Sequence, residues 1–350
     1  MRTVVLVFLA TLLGLSLWQV VTARQREGPV YRLRPPSEPP SRAHPLALGV
    51  DLPIRAPGQE LNKKALRGFE RATGRQVALA VVGQDWAAGE RFEVNLASEI
   101  RTSGSIPTIN WEPWDHRRPE AHQPRFRLKS IARGEHDTYI RQWAEAVRAW
   151  RHPVFLRPMP EMNGFWNPWS PGVNGNAVAD YSVAWRHIHR IFEQVGARNV
   201  AWVWSPNVRH AGRGGDRPLR DVYPGNAYVD FVGIDGYNWG CSQPGTRWQT
   251  FKEIFDATLR EVRALTRKPV IVSEVGSSER CGSKARWIQD FFAAVERRPY
   301  IVAVTWFNHL KETDWRVTSS PQAEAEFAKS VRERVPSSRS EQLRLLGVEK

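Results

Sequence analysis

The chain has 350 residues, 41% of them hydrophobic, which is enough to bury a large core in one big domain or two ordinary ones. Its formal net charge of +14 suggests an anionic partner, but the basic residues are spread along the chain rather than clustered. The sequence has no zinc-finger spacing and no basic-aromatic module, so we expect no nucleic-acid partner.

The first residues have the pattern of an export signal. Arg2 precedes a largely apolar run, and the small residues at 21–23 offer a cleavage site. Residues 1–23 are therefore interpreted as a signal peptide. The run 3–23 is also long enough to span a bilayer if it is not cut, and would then be a signal anchor and membrane tether. In both cases we expect the rest of the chain to be secreted or periplasmic.

The two segments that flank the apolar-rich part of the chain differ from it in composition. Residues 24–45 are rich in proline and arginine and have few large apolar side chains, which predicts a stiff, partly extended linker. Residues 336–350 include three serines and no second core, so we predict a surface tail there. The folded domain is predicted over 46–335.

Short apolar runs bounded by turn residues recur along this domain. Between most of them lie stretches with apolar residues at helical spacing, such as Tyr139, Trp143, Val147 and Trp150. The runs are almost continuously apolar, as in parallel strands covered on both faces. Eight strands that alternate with helices predict a single (β/α)8 barrel. The predicted strands are 46–51, 77–82, 106–111, 154–158, 200–205, 231–237, 270–274 and 301–307.

In such a barrel, chemistry takes place at the carboxyl ends of the strands. Charged, amide and aromatic side chains follow the predicted strands at that end, and we expect them to line a substrate cleft. They are Trp111, Glu112, Arg157, Glu161, Asn163, Trp166, Trp169, Trp204, Asp235, Tyr237, Trp239, Glu274 and Trp306.

Two of these residues form the pair that a retaining glycosidase needs. Glu161 follows the fourth strand and Glu274 ends the seventh, and in a retaining enzyme two such carboxyls lie ~5–5.5 Å apart. The apolar neighbours Met159 and Met162 suit Glu161 to the role of acid, since they raise the pKa of a carboxyl. Glu274 is predicted to be the nucleophile. This chemistry needs no metal and no cofactor, and we expect none.

Tryptophans fit the same interpretation, because sugar rings stack on flat aromatic surfaces. Trp166, Trp169, Trp239 and Trp306 follow strands and are predicted to form sugar subsites. The alternative for any tryptophan is core packing, and we assign four to it on their helical spacing: Trp143, Trp150, Trp185 and Trp287.

The two cysteines, Cys241 and Cys281, are compatible with one disulfide in an oxidising compartment. Both follow strands at the same end of the predicted barrel, which favours a bond between them. Two free thiols are the alternative.

Together these motifs resemble glycoside hydrolase family 26, which contains retaining β-mannanases and lichenases. The stretch "RPMPEMNGFWNPW" is followed 113 residues after Glu161 by the glutamate of "KPVIVSEVGSS". The likeness extends through "IPTINWEPW", "DFVGIDGYNWG" and "TWFNHLKETDW", and so over nearly all of residues 46–335.

The resemblance implies roles for individual residues. Glu161 is implied to be the acid/base and Glu274 the nucleophile. Tyr237 is implied to bond the nucleophile, and Trp306 to form the floor of the subsite for the reacting sugar. Trp166 also matches a tryptophan of the family that lies near the leaving group. Asp235 matches the carboxylate of the "DGY" motif.

One position departs from the family pattern. The mannanases of the family usually have histidine directly before the acid/base glutamate, whereas this chain has Pro160, which has no side-chain hydrogen bond to offer. The departure counts against mannan as the substrate. It leaves the two-glutamate chemistry unaffected. Mixed-linkage β-1,3-1,4-glucan, or an acidic exopolysaccharide made by the same cell, is the alternative.

The sequence therefore predicts an exported, monomeric, endo-acting retaining β-glycosidase. A protein of another class, a catalytically silent carbohydrate-binding barrel at the cell surface, would keep the tryptophans but tolerate loss of either glutamate. Both Glu161 and Glu274 are present, which favours the enzyme.

Overall fold

The computed structural model of the protein describes residues 32–37, 45–53, 61–87, 89, 91–118, 120–208 and 217–349. The predicted signal segment and most of the predicted linker lie outside the described residues. Within the described ranges, none of the helices combines the length and the apolar character needed to cross a bilayer.

Eight parallel strands close into a barrel, each paired with the next in sequence and the last paired with the first. This confirms the predicted (β/α)8 architecture. The predicted boundaries hold to within three residues at every strand. The strands are β1 (Ala47–Asp51), β2 (Leu79–Asp85), β3 (Ile106–Glu112), β4 (Val154–Pro158), β5 (Val200–Trp204), β6 (Phe231–Asn238), β7 (Val270–Ser277) and β8 (Ile301–Phe307).

The helices lie between and after these strands, and several begin and end at residues with a recognised capping role. Ser320 accepts a hydrogen bond from the N–H of Ala323, and Pro321 occupies the first turn that follows it. The helices are α1 (Lys63–Thr73), α2 (Val94–Thr102), α3 (Leu128–Ala132), α4 (Asp137–Trp150), α5 (Val178–Val195), α6 (Phe251–Leu265), α7 (Lys284–Glu296), α8 (Pro321–Arg334) and α9 (Arg339–Leu345).

Each barrel strand buries both of its faces. Successive side chains of a strand point to opposite faces, so one set fills the barrel and the other packs against the helices. Residues that pack together inside the barrel include Ala47, Phe155, Val203, Phe231 and Ala303. The outer set includes Leu48, Leu156, Trp202, Val232 and Val304, together with Trp143, Trp150, Trp185 and Trp287 from the helices, as expected for those four.

The C-terminal segment closes the amino-terminal end of the barrel, so the prediction of a surface tail over 336–350 is wrong. Leu343, Leu346 and Val348 are buried and join the cluster inside the barrel. The two-residue strand Val348–Glu349 pairs with Arg32–Leu33, which lies in the predicted linker. The reason is that the inner apolar residues of the strands need a cover at this end, and the tail supplies one.

Gln342 ties this cover to the barrel. Its Oε1 accepts a hydrogen bond of 3.0 Å from the N–H of Leu48, and its Nε2 donates to the carbonyls of Gln76 and Pro336, both at 3.1 Å. We predict that Gln342→Ala lowers the free energy of unfolding by about 2–3 kcal/mol, because a buried N–H loses its partner. Denaturant unfolding would measure it. Gln322→Ala, on the exposed face of α8, is the matched control and should be neutral; equal effects of the two would contradict the prediction.

Candidate active site at the carboxyl ends of the strands

Arg157 lies at the centre of the barrel mouth and organises the side chains around it. Its guanidinium is completely buried and donates from Nη1 to Glu274 Oε1 at 3.0 Å and from Nη2 to Asp235 Oδ2 at 2.7 Å. Nε donates to the hydroxyl of Ser205 at 3.0 Å. Charge-assisted hydrogen bonds of this length are strong and directional, so Arg157 fixes both carboxylates.

Glu274 reaches the mouth because of an irregularity in the sheet. The pairing register shifts between Ile234 and Asp235 on β6, and again between Val272 and Val275 on β7. Bulges of this kind re-aim side chains and are frequent beside active sites. Here the bulge brings the consecutive residues Ser273 and Glu274 to the same face.

Both carboxylate oxygens of Glu274 accept hydrogen bonds. Arg157 binds Oε1, and the hydroxyl of Tyr237 donates to Oε2 at 2.5 Å. Two donors, one of them cationic, stabilise the negative charge of this carboxylate and hold its orientation. This environment suits a nucleophile.

The chain turns sharply after β4 to present Glu161. Met159 and Glu161 have φ angles of 51° and 54°, in the left-handed region that side chains other than glycine seldom occupy. The N–H of Glu161 donates to the carbonyl of Ser205 at 2.7 Å, and this bond to the chain after β5 supports the turn. The backbone conformation thus aims the carboxylate at the mouth.

Two donors hold the Glu161 carboxylate. The indole Nε1 of Trp166 donates to Oε2 at 3.0 Å, and the side-chain amide of Asn207 donates to Oε1. The side chain of Asn163 does not hydrogen-bond to the Glu161 carboxylate. It instead exchanges two hydrogen bonds of 2.8 Å with the backbone of Asn207, and therefore positions Asn207.

The two glutamates differ in environment although they are close together. Burial and, next, the negative charge of Glu274 raise the pKa of Glu161 to about 7, although the hydrogen bonds from Asn207 and Trp166 act to lower it. One carboxylate oxygen from each of Glu161, Asp235 and Glu274 lies within 4.8 Å of the others. Carboxylates could hold a cation, but Arg157 already binds two of these three and supplies the positive charge.

Four of the tryptophans predicted to line the substrate cleft are buried, and for them the prediction of substrate contact is wrong. Trp111, Trp204 and Trp306 are fully buried and belong to the outer faces of their strands, where they pack among the helices. Trp169 is also fully buried, and its indole donates to the carbonyl of Pro160 at 2.6 Å. They build the walls that support the mouth.

The resemblance implies that Trp306 forms the floor of the subsite for the reacting sugar. Its indole instead donates to the carbonyl of Trp315 at 2.8 Å, and its ring packs on Phe327 of α8 with centroids 4.9 Å apart. Because side chains alternate along a strand, the next residue, Phe307, faces the mouth. The ring of Phe307 meets that of Tyr237 at a centroid distance of 5.6 Å.

Trp166, Trp239 and Glu112 remain partly accessible at the mouth. The ring of Trp239 lies 6.2 Å from that of Tyr237, and Glu112 pairs with His116 at 2.7 Å. Their predicted contacts with substrate stay predictions.

Sequence reasoning left several mouth residues out of the predicted site. Asn207 binds Glu161, and Asp51 pairs with His309 at 2.7 Å. Asp51 is the last residue of β1, so the rule that selected the other strand-end carboxylates would have found it. His309 lies beyond the end of β8 and carries no such signal.

Cys241 and Cys281 form a disulfide in the structure, with Cα atoms 5.7 Å apart, between the loops that follow β6 and β7. We predict that the double variant Cys241→Ser/Cys281→Ser loses about 4 kcal/mol of unfolding free energy, because the bond closes a loop of 40 residues in the unfolded chain. Denaturant unfolding with and without reductant measures the loss. Thiol titration of the unfolded, unreduced protein should find no free thiol, and two free thiols would contradict the prediction.

A closed (β/α)8 barrel with a supported pair of glutamates after β4 and on β7 is typical of the large class of (β/α)8 glycoside hydrolases. Within that class, part of the chain matches glycosyl hydrolase family 26. The model of that family matches residues 132–280, which include both Glu161 and Glu274.

Curated relatives agree with this assignment. Endoglucanase H of Acetivibrio thermocellus is 34% identical over 279 residues, which cover 78% of this chain and 29% of the relative. A mannan endo-1,4-beta-mannosidase of Bacillus subtilis is 28% identical over 135 residues, covering 37% of this chain and 32% of the relative. The chain thus spans about a third of the length of these relatives.

Solved structures share the fold. The catalytic domain of an endo-beta-1,4-mannanase from Bacillus sp. JAMB-750 superposes with a TM-score of 0.64 at 16% identity, covering 85% of this chain and 90% of that one. A modular endo-beta-1,4-mannanase from Cellulomonas fimi gives 0.60 at 18% identity, covering 85% and 72%.

The raised pKa of Glu161 predicts the pH dependence of any reaction that uses it as an acid. A carboxylic acid donates its proton only below its pKa, so kcat/KM should fall as the pH rises through about 7. Trp166→Phe removes a donor that stabilises the ionised form, and should move this fall to higher pH. Kinetics against pH test both statements. Trp150→Phe, at the far end of α4, is the control; a profile unmoved by Trp166→Phe would contradict the assignment.

Proposed function

We propose that the protein is an endo-acting retaining β-glycosidase that hydrolyses a neutral β-linked polysaccharide. One observation carries the proposal. A carboxyl with a pKa of about 7 and a carboxylate held by Arg157 and Tyr237 lie within 4.8 Å of each other. Retaining glycosidases place their two carboxyls ~5–5.5 Å apart, whereas inverting ones leave ~6.5–9.5 Å for a water molecule.

The first step of the proposed reaction uses each glutamate once. Glu274 attacks the anomeric carbon and forms a glycosyl ester, while the bond from that carbon to the leaving oxygen breaks. Glu161 gives its proton to the leaving oxygen, so that a neutral alcohol departs. Arg157 and Tyr237 hold the Glu274 carboxylate aligned until the attack.

The second step reverses these roles. Glu161, now a carboxylate, takes a proton from water, and the water oxygen attacks the anomeric carbon and releases Glu274. Esterification has removed the negative charge of Glu274, which had raised the pKa of Glu161 in the free protein. Glu161 therefore becomes easier to ionise at the stage where it must accept a proton.

The charge at the mouth supports a neutral substrate over an acidic exopolysaccharide. The carboxylates of Asp51 and Glu112 end their strands there, and those of Asp235 and Glu274 lie near the carboxyl ends of β6 and β7. Arg157, which lies among them, is already bound to Asp235 and Glu274. A uronic acid in the reacting position would meet like charge, which costs binding free energy. The net charge of +14 is therefore not the basis of substrate recognition.

Two observations support glucan rather than mannan as the proposed substrate. Pro160 offers no side-chain donor beside Glu161, and its carbonyl is taken by the side chains of Trp169 and Asn167. The likeness to Endoglucanase H extends over 78% of the chain, against 37% for the mannosidase.

From the apolar run in residues 1–23 we further propose that the enzyme is exported, to the cell exterior or the periplasm. We also propose that it acts as a monomer.

The test is hydrolysis of mixed-linkage β-glucan, glucomannan, galactomannan and an acidic exopolysaccharide, with the products sized. We expect cleavage of a neutral β-glycan into oligosaccharides of several lengths, with the anomeric configuration retained in the nascent product by NMR. Glu274→Ala should be inactive. If the parent and the variant both bind a polysaccharide and neither cleaves it, the protein is a binding barrel and the proposal fails.

The two roles can be separated chemically with azide. In Glu161→Ala, the glycosyl ester forms on a substrate with a good leaving group, and azide should accelerate turnover and yield the β-glycosyl azide. In Glu274→Ala, azide takes the place of the missing nucleophile and should yield the α-anomer. Product NMR distinguishes the two azides. The opposite pairing of variant and anomer would reverse the assignment of acid and nucleophile.

A further inference from the structure

Asp51 and His309 form a carboxylate–imidazole pair at the mouth that the two-glutamate reaction does not use. Asp51 Oδ1 and His309 Nε2 are 2.7 Å apart, and the two side chains keep 14% and 21% of their surface accessible. Among the residues that the structure describes, no donor binds Asp51 Oδ2. The pair therefore offers an accessible hydrogen-bond acceptor beside the reacting groups.

The strand order places this pair across the mouth from the acid. Glu161 follows β4, and its partners Trp166 and Asn207 follow β4 and β5. In a closed barrel of eight strands, β8 and β1 stand opposite β4 and β5. The leaving oxygen must lie beside Glu161, so the sugar that carries the anomeric carbon extends away from it, toward β8 and β1.

The pair is held rigidly next to the nucleophile. His309 stacks on Phe307 with ring centroids 4.2 Å apart, and Phe307 meets Tyr237, whose hydroxyl binds Glu274. The backbone N–H of Asn308 donates to the carbonyl of Asp51 at 2.8 Å. Burial raises the pKa of Asp51, and the charge of Glu274 contributes, which is consistent with their proximity.

We infer that Asp51 and His309 bind hydroxyl groups of the sugar on the glycone side of the scissile bond. Asp51 accepts a hydrogen bond from a sugar hydroxyl on Oδ2, and His309 orients Asp51 through Oδ1. A site built to bond a hydroxyl discriminates strongly against a sugar that lacks one in that place, so the pair is a specificity determinant. This inference rests on the proposed function for the location of the scissile bond.

The chain contains a matched control. His187 and Asp137 form a second pair of the same chemistry, with Nε2 and Oδ1 2.6 Å apart, between α4 and α5 on the outside of the barrel. Asp51→Asn and Asp137→Asn therefore make the same chemical change in two places. We expect both variants to unfold at temperatures close to that of the parent, since each asparagine can still accept a hydrogen bond from histidine.

Binding is measured in an inactive background so that the result does not depend on turnover. In Glu161→Ala, calorimetric titration with a hexasaccharide of mixed-linkage glucan, and separately of mannan, gives the dissociation constant. We expect Asp51→Asn to weaken binding about 10- to 100-fold, and His309→Gln, which keeps a donor for Asp51, to weaken it less. Asp137→Asn should leave binding unchanged. Equal dissociation constants for Asp51→Asn and the parent background would overturn the inference.

Kinetics then identify the side of the cleft. With intact Glu161, kcat/KM is measured on the polymer and on a 4-nitrophenyl glycoside of the matching trisaccharide, which has no sugar on the leaving side. A glycone contact predicts the same fold-loss for Asp51→Asn on both substrates. A loss on the polymer alone would place the pair on the leaving side and refute the inference. If the parent cleaves neither substrate, the proposed function fails, while the binding result still decides whether Asp51 contacts sugar.

Discussion

A fully buried guanidinium lies at the mouth of this barrel, and its charge must be neutralised by the residues around it. Arg157 is bound by Asp235, Glu274 and Ser205, which come from β6, β7 and the end of β5. Burying such a charge is costly, and removing one partner of a buried ion pair typically costs about 3–5 kcal/mol. Four neighbouring strand ends are thereby held in one arrangement, and the remaining features of the site are built on it.

The difference between the two glutamates follows from this arrangement. Glu274 accepts hydrogen bonds from the Arg157 guanidinium and the Tyr237 hydroxyl, which fix the orientation of its carboxylate. Glu161 is turned into the mouth by a left-handed backbone, and burial and the nearby negative charge raise its pKa to about 7. Two identical side chains in contact with different neighbours can therefore serve as acid and nucleophile at the same pH. The fold supplies the difference, because it decides which of them meets Arg157.

The two ends of the barrel have separate roles. At the amino-terminal end, Leu343, Leu346 and Val348 close the interior, and Gln342 satisfies a buried backbone N–H. At the carboxyl end, the carboxylates of Asp235 and Glu274 repel each other and are tolerated because Arg157 binds both of them. Apolar closure at one end stabilises the barrel, while the other end keeps an acidic, partly open surface.

The sequence by itself determined the eight strands and the strand-end glutamates. Parallel strands covered on both faces appear as apolar runs, and the chemistry of such a barrel lies where those runs stop. Because these runs are apolar without interruption, they do not show which face of the strand each side chain takes. The prediction of Trp111, Trp204 and Trp306 in the cleft was therefore wrong. Facing depends on register and on the bulges at Asp235 and Glu274, which arise from pairing between strands. Only the tertiary structure could bring together Asp51 and His309, since closure of the barrel makes neighbours of its first and last strands.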